Sequence, residues 1–307
     1  MRKFTVGSRE SALAMWQTRW VVATLKALFP DAEFDVINIK TQGDKILDVP
    51  LAKIGDKGLF VKELEKALSD GQIDFAVHSM KDMPTALPED LTIGAITERE
   101  DPHDVLISRL GVGLEQLPQG ARLGTSSLRR SAQLRHFRPD LRLLDLRGNL
   151  DTRLRKADTE EFDGVIVAAA GVHRLEHAAR ITQYIPYTIC LPAVGQGALA
   201  VESRRDDRKI QPLLDRLNHE PTRLCVGAER ALMNALEGGC QIPIGAHAEL
   251  QGTTLVLDGV VASLDGSTLV RAQDSGAPSE ALEIGQRLAA RLIEMGAGEI
   301  LREVRGE

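Results

Sequence analysis

The sequence is poor in aromatic residues and in cysteine. Phe, Trp and Tyr make up only 4% of the 307 residues, so a folded core must be built from the aliphatic side chains within the 43% hydrophobic content. The cysteines, Cys190, Cys225 and Cys240, are odd in number, and none lies in a C-x-x-C pair. This spacing argues against a disulfide framework and a zinc site, and it is typical of a reducing compartment. The histidines show no metal-ligand spacing either, and we expect no bound metal.

Export and membrane signals are also missing. The N-terminal MRKFTVGSRESALAMW has neither a long apolar run nor a small-residue cleavage site, so it does not predict a secretory signal. No stretch approaches the ~18 apolar residues that a membrane-spanning helix needs. We therefore expect a cytoplasmic protein without membrane contact. The net charge of −6 disfavours general nucleic-acid binding, and no G-x-x-x-x-G-K-[ST] loop predicts ATP binding.

Positive charge is nevertheless concentrated in one part of the chain. Between residues 122 and 156, arginine and lysine far outnumber the acidic residues, which are Asp140, Asp145 and Asp151. An acidic protein with such a stretch is expected to use it for an anionic ligand.

The first two thirds of the chain alternate between strand and helix patterns. Strands are predicted at 2–7, 33–40, 73–78, 91–97, 105–108, 122–124, 141–145 and 164–169. Helices are predicted at 11–28, 59–69, 127–137 and 150–157, the first with Leu13, Trp16, Trp20, Leu25 and Leu28 near one face. This alternation predicts two α/β sets with mostly parallel sheets and a cleft between them, where ligands commonly bind.

The connecting and C-terminal segments predict how these sets are joined. The polar residues 98–102 suit a hinge, residues 191–202 suit a return crossing, and the residues 41–59, which have weak periodicity, suit a long mobile loop. A helix at 222–236, strands at 246–251, 254–263 and 268–275, and a helix at 279–295 predict a small α+β domain. The predicted domains are therefore 1–98 with 198–216, then 103–192, then 219–307.

Cys240 is the cysteine best placed for chemistry. It lies in LEGGCQIPIG, where two glycines end the preceding helix and Pro243 prevents it from resuming, so the thiol is expected on a turn. An accessible thiolate is a strong nucleophile and a candidate covalent anchor. The residues alone leave a packed, inert thiol equally open at this position, whereas packing suits Cys190 and Cys225 better.

Asp82 is a candidate catalytic acid. It lies in HSMKDMP directly after a predicted apolar strand, where α/β proteins place ligand-contacting residues, and Lys81 precedes it. A carboxylate there could stabilise a cation or transfer a proton. From the residues alone, a turn aspartate or a helix cap is the more frequent role.

Side chains suited to an anion follow several predicted strands. In LGTSSLRR, hydroxyl and backbone N–H groups meet the start of a helix, which forms an anion site. Arg129 and Arg130 begin that helix, where a cation is unfavourable unless an anion lies nearby. Arg147 follows the next strand, and Arg153 lies one turn into the helix after it. Each alone is typical of a solvated basic surface, but their recurrence favours a site for organic carboxylates.

Seven segments in order resemble the porphobilinogen deaminase family nearly from end to end. They are GSRESALAMWQ, TQGDKILDVPLAKIGDKGLFVKELE, DFAVHSMKDMP, LGTSSLRR, LRGNLDTRL, LPAVGQGA and ERALMNALEGGCQIPIG. No motif position central to the chemistry is substituted. The resemblance implies an α/β fold class, with two periplasmic-binding-protein-like α/β lobes, a central cleft and a small C-terminal α+β domain.

The resemblance also implies a function in tetrapyrrole biosynthesis. Cys240 would carry a dipyrromethane cofactor through a thioether, and four porphobilinogen units would be added to this primer before 1-hydroxymethylbilane is released. Asp82 is the implied catalytic residue. The residues implied to hold the cofactor, besides Cys240, are Lys81, Asp82, Thr125, Ser126, Ser127, Arg129, Arg130, Arg147 and Gly148. Those implied to bind substrate are Arg9, Ser11, Gln17, Lys53, Lys57, Phe60, Arg147, Arg153, Arg174 and Gln196.

Three other functions are alternatives to this one. A solute-binding protein of the same two-lobed design would have an export signal and no use for a reactive thiol. A cysteine hydrolase would need a base such as His78 or His247 within hydrogen-bond reach of Cys240. Nucleic-acid binding through the arginines is disfavoured by the net charge and the few aromatic residues. We expect a monomer whose one partner is the small-molecule substrate.

Overall fold

The computed structural model describes residues 2–45, 61–237 and 242–307. Lys53, Lys57, Phe60, Cys240 and most of the predicted loop 41–59 lie outside the described residues. The described chain forms two compact units. One contains the residues up to Glu100 together with Gly197–Arg223, and the other contains Asp101–Gln196 and Leu224–Glu307.

The first unit is a five-stranded sheet covered by helices. Its strands are β1 (Arg2–Ser8), β2 (Ala32–Asn38), β3 (Phe75–Ser79), β4 (Leu91–Ile96) and β10 (Leu199–Arg204), in the order β2-β1-β3-β10-β4. Its helices are α1 (Ala12–Leu28), α2 (Gln42–Lys45), α3 (Lys62–Ser69) and α7 (Gln211–Leu217). β1 runs parallel to β2 and β3, whereas β10 is antiparallel to both of its neighbours, so four strands share one direction.

Small side chains hold α1 against this sheet. Ser11 caps the helix by accepting a hydrogen bond from the Ala14 backbone N–H at 3.3 Å. The buried stripe contains Ala14, Val21 and Leu25, while Trp20 and Leu28 are both 38% exposed. The predicted stripe of large residues was therefore wrong in part, because the helix approaches the sheet through its smaller side chains.

The second unit contains a similar sheet. The strands are β5 (Asp104–Ser108), β6 (Arg122–Gly124), β7 (Arg142–Leu144), β8 (Gly164–Ala168) and β9 (Gln183–Tyr184), in the order β7-β6-β8-β5-β9. β6 is parallel to β7 and β8, and β5 is antiparallel to β8 and β9. Its helices are α4 (Leu128–Phe137), α5 (Leu150–Lys156) and α6 (Ala169–Arg174). The prediction of mostly parallel sheets is confirmed, with one reversed strand in each.

The C-terminal part of the second unit is an antiparallel meander. Its strands are β11 (Ile244–Gln251), β12 (Thr254–Ala262) and β13 (Leu269–Gly276). The helices α8 (Glu220–Ala235), α9 (Ala281–Leu292) and α10 (Gly298–Arg305) contribute to its apolar core. The α/β class with a small α+β part is therefore confirmed. The helix predicted at 279–295 is confirmed as α9 with the π-helical residues that follow it, whereas the second helix, α10, which begins after Gly296 at φ +107°, was not predicted.

None of the helices within the described ranges is long and apolar enough to cross a bilayer.

Candidate functional site

The first unit brings predicted site residues to one edge of its sheet. Arg9 and Ser11 follow β1, and Lys81 and Asp82 follow β3, which pairs in parallel with β1 through Val6 and Phe75. Because parallel strands end at the same edge, these residues are gathered on one side of the sheet.

Asp82 lies in one turn of 3₁₀-helix, Met80–Asp82. The Met80 N–H donates to the Ala198 carbonyl at 3.0 Å, and the Met83 N–H donates to the Met80 carbonyl at 3.2 Å. The side chains of Met80 and Met83 are buried, while those of Lys81 and Asp82 are half-buried. The turn is thus anchored at both ends and presents two charged groups from its middle.

Gln17 supports the same strand end from α1. Its Nε2 donates to the Ser79 hydroxyl at 2.9 Å, and the residue is buried. This contact ties α1 to the residue that precedes the Asp82 turn. The direct contact of Gln17 with substrate, implied by the family resemblance, stays a prediction.

A buried acid–imidazole cluster, which the sequence reasoning missed, lies in β3 and its neighbours. His78 is 5% exposed, and its Nε2 lies 3.0 Å from Oε2 of Glu202 in β10, although the angle is not that of a hydrogen bond. Burial raises the pKa of Glu65 in α3, and the charge of Glu202 raises it further. The signal was an acid inside the apolar strand LAVESR. Because His78 is enclosed beside Glu202, it is poorly placed to be the accessible base of a hydrolase.

The second unit gathers its predicted residues at the corresponding strand ends. Ser126, after β6, donates its hydroxyl proton to the Leu146 carbonyl at 2.5 Å and accepts from the Leu146 N–H at 3.2 Å. This link joins the turn after β6 to the segment after β7. Ser127 caps α4 by accepting from the Arg130 N–H at 3.4 Å. The predicted turn and helix start are confirmed.

The turn after β7 requires glycine at position 148. Gly148 has φ +108°, and a Cβ there would lie 2.7 Å from Cγ2 of Thr152. Nε of Arg153 donates to the Gly148 carbonyl at 2.9 Å, so this arginine braces the turn. Arg147 is half-buried beside it, and Arg174 is buried at the end of α6, which follows β8. Arg147 and Arg153 therefore follow β7 and Arg174 follows β8, two strands that end at the same edge of this sheet.

The side chains of Arg129 and Arg130 point into the interior of the protein, where both are buried. Nη1 of Arg129 donates to Oδ2 of Asp104 at 2.6 Å, and Nη2 of Arg130 donates to Oδ1 of the same carboxylate at 2.6 Å. The side chains of the two arginines are only 6% and 5% exposed. The anion expected near these cations is therefore supplied by the chain itself.

Asp104, at the first position of β5, is the residue that sequence reasoning missed here. Burial alone would raise the pKa of its carboxyl, but the two guanidinium groups outweigh burial and hold that pKa well below its usual range. The available signals in the sequence were an acid close after the polar residues 98–102 and two adjacent arginines, Arg129 and Arg130, at a helix start. Its partners are far away in sequence, so only the fold identifies them.

Gln196 belongs to the same buried network. Its Nε2 donates to the Pro102 carbonyl at 2.7 Å and to Oδ1 of Asp104 at 2.9 Å. The amide nitrogen is thus used to hold the first residues of β5. Its predicted contact with substrate remains untested.

The two described cysteines are buried, which confirms the packed role predicted for Cys190 and Cys225. Burial, together with the nearby Asp104 carboxylate, raises the pKa of the Cys190 thiol to about 12. Cys190 therefore does not present a reactive thiolate at neutral pH, and burial leaves Cys225 inaccessible.

Comparison with known proteins gives matches over nearly the whole chain. The family model described as porphobilinogen deaminase, dipyromethane cofactor binding domain, matches residues 4–212, and the one for the porphobilinogen deaminase C-terminal domain matches residues 223–294. The chain is 56% identical over 303 residues to the porphobilinogen deaminase of Desulforamulus reducens, covering 99% of this chain and 98% of that protein. It is 55% identical over 306 residues to that of Synechococcus elongatus, covering 99% and 96%.

Solved structures show weaker likeness. The methionine binding protein MetQ aligns with 70% of this chain and 89% of its own, at 13% identity and a TM-score of 0.44. The VFT2 domain of BvgS from Bordetella pertussis aligns with 70% and 85%, at 14% identity and a TM-score of 0.40. At such scores, any assignment rests on the sequence matches.

The network around Asp104 generates a stability prediction. Asp104→Asn leaves two buried guanidinium groups without a counter-charge, so we expect the free energy of unfolding to fall by about 3–5 kcal/mol, as for other broken buried pairs. Urea denaturation measures this change. Asp70→Asn, which removes the exposed partner of Lys66, is the control and should unfold like wild type. Equal stability of both variants would contradict the role given to Asp104.

Proposed function

The chain belongs to the porphobilinogen deaminase family, and on that premise we propose that it builds a linear tetrapyrrole from porphobilinogen. It deaminates four porphobilinogen molecules in turn, condenses them head to tail on a covalent dipyrromethane primer, and releases 1-hydroxymethylbilane by hydrolysis. The observation that carries the proposal is the match of the dipyrromethane-binding family model to residues 4–212. The protein is accordingly a transferase of tetrapyrrole biosynthesis.

The described residues fit a cofactor and a substrate that carry several carboxylates. Each pyrrole unit bears an acetate and a propionate, and arginine binds carboxylates through paired hydrogen bonds. Arg147 and Arg153 follow β7, Arg174 follows β8, and Arg9 directly follows β1 in the first sheet. When bound, the dipyrromethane would supply the free pyrrole carbon to which the first unit is joined, and each later unit would be joined to the one before it. Thr125, Ser127 and Gly148 would hold its carboxylates beside the arginines.

We assign the covalent attachment to Cys240. The family motif GGCQIP places the attached cysteine at position 240, and the other two thiols are buried, with the pKa of the Cys190 thiol raised to about 12. Its surroundings in sequence, between two glycines and Gln241-Ile242-Pro243, favour a turn.

We assign the chemistry of condensation to Asp82. Loss of ammonia from the aminomethyl group leaves a positive charge on the incoming pyrrole, and a fixed carboxylate stabilises that charge. The same carboxylate can hold a proton at the pyrrole nitrogen. The anchored turn Met80–Asp82 keeps the group in place, with Lys81 beside it to bind a cofactor carboxylate.

Further parts of the proposal concern binding, organisation and location. Ser11, Gln17 and Gln196 complete the substrate site, and Lys53, Lys57 and Phe60 contribute from the segment outside the described residues. The domains are 1–98 with 198–216, 103–192, and 219–307. The protein acts as a cytoplasmic monomer and binds neither nucleic acid nor membrane.

The proposed attachment is tested by intact-mass measurement of the purified protein. We expect a mass above that of the polypeptide by two linked pyrroles, because the primer stays on the enzyme between turnovers. Cys240→Ser should remove this increment, while Cys225→Ser should keep it. A bare polypeptide mass in active wild-type protein would sink the proposal.

Asp82→Asn tests the catalytic role. The amide keeps the shape of the side chain but cannot balance a positive charge, so we expect kcat to fall roughly a hundredfold or more while the mass increment at Cys240 persists. Steady-state rates of porphobilinogen consumption measure the loss. Asp70→Asn, at the exposed residue that directly follows α3, is the charge-matched control. Near-normal turnover of Asp82→Asn would remove this residue from the mechanism.

Arg147→Gln tests carboxylate binding. Arg147 is a cleaner choice than Arg129, whose replacement would also disturb the buried pair with Asp104. We expect kcat/KM to fall about tenfold to a hundredfold, the cost of one charge-assisted hydrogen bond, with little change in urea stability. Arg142→Gln, at the exposed start of the same strand β7, should behave like wild type. Matching kinetics of the two variants would place Arg147 on an ordinary basic surface.

A further inference from the structure

The chain leaves α8 at a point held by an arginine from the far end of the sequence. Nη2 of Arg305, the last residue of α10, donates to the Leu236 carbonyl at 2.8 Å and to the Glu237 carbonyl at 3.4 Å. Its Nη1 lies 3.3 Å from Oε2 of Glu237. One guanidinium group therefore donates hydrogen bonds to two consecutive backbone carbonyls and forms an ion pair with the carboxylate of Glu237.

Glu237, which Arg305 contacts in this way, has an unusual backbone conformation. Glu237 has φ +50°, a left-handed conformation that glycine favours and that a side chain disfavours. It is also where α8 ends, since the Glu237 N–H donates to the Asn234 carbonyl at 2.9 Å. A cation at a helix C-terminus is attracted by the unpaired carbonyl groups there. Arg305 thus stabilises a conformation that Glu237 would not otherwise favour.

Arg305 is held in position by α10, which packs firmly against the core. Ile300 and Leu301 of α10 are buried in the core that α8, α9 and the three-stranded sheet share, and Val304 packs against that core. The left-handed Gly296 lets the chain turn between α9 and α10. The side chain of Arg305 is 24% exposed, so it is largely enclosed at the helix end.

The following described residues are fixed to the same unit. Ile242 packs against this core, and the Pro243 carbonyl accepts a hydrogen bond from the Ala262 N–H at 3.2 Å, just before β11 begins. Both flanks of residues 238–241 are therefore anchored, one by Arg305 and the other by the sheet.

We infer that Arg305 is a positioning residue for the cofactor-bearing cysteine. It fixes the place and direction in which the chain leaves α8, three residues before Cys240. Gly238 and Gly239 follow immediately in the sequence. Because glycine restricts the backbone less than any other residue, the direction of the chain has to be set before these two positions. This inference rests on the proposed function, because it gives Arg305 a purpose only if Cys240 carries the primer.

Arg305→Gln is the decisive variant, measured on the full-length protein as purified. We expect fewer chains with the two-pyrrole mass increment, and kcat per increment-bearing chain about tenfold lower, because a displacement of about 1 Å is enough for such a loss. KM should change less than kcat, since the carboxylate-binding arginines belong to other elements. A role in folding alone would lower the thermal unfolding midpoint without changing kcat per loaded chain.

Arg302→Gln is the matched control. It removes the same charge from the same helix, but the side chain of Arg302 is exposed and its Nε donates to the Gly298 carbonyl of its own helix at 3.4 Å. We expect it to match wild type in loading and in kcat. If Arg305→Gln gave the same loading and kcat as this control, Arg305 would have no positioning role.

Arg305→Lys covers the case in which the glutamine variant does not fold. Lysine keeps the positive charge at the end of α8 but cannot bridge both carbonyls and the carboxylate at once. Its kcat per loaded chain should therefore lie between those of Arg305→Gln and wild type, and a wild-type value would overturn the inference. A wild-type protein with no mass increment would instead overturn the proposed function, and the inference with it.

Discussion

A single carboxylate, that of Asp104, holds together the part of the second unit from which the predicted anion-binding residues project. It accepts hydrogen bonds from Arg129, Arg130 and Gln196, all of them buried. Two guanidinium groups away from water are costly unless a counter-charge is close, so the network is strongly cooperative. It joins the beginning of β5, the beginning of α4 and the segment that leads back toward β10. The turn after β6 keeps its position because α4 is fixed at this point.

The arginines of the stretch 122–156 therefore differ in role: some support the protein itself, whereas Arg147 is predicted to bind a ligand carboxylate. Arg129 and Arg130 neutralise an internal acid, and Arg153 braces the carbonyl of Gly148. Arg147 lies between these braced positions at the end of a strand. A ligand carboxylate that binds here meets a site whose supporting cations are already paired, so the geometry does not have to form around the ligand.

The sequence predicted those parts of the fold and of the candidate site that depend on residues close together in the chain. Glycines, capping residues and strand–turn–helix order predicted the turns at 125–127 and 146–149 and the edge at which Asp82 lies. The ordered motifs identified the family. Partners distant in sequence were out of reach: Asp104, Glu202 and Arg305 acquire their roles only through contacts with residues far along the chain. Short helices such as α6 and α10 escaped because they contain too few turns for a periodic pattern.

Strand β10 has a consequence for how the protein is made. It lies between β3 and β4, yet the whole of Asp101–Gln196 is synthesised before it. The Met80 N–H that fixes the turn of Asp82 bonds to the Ala198 carbonyl, so this N-terminal turn cannot be completed while the chain is half made. Such long-range pairing slows folding and leaves strand edges open meanwhile.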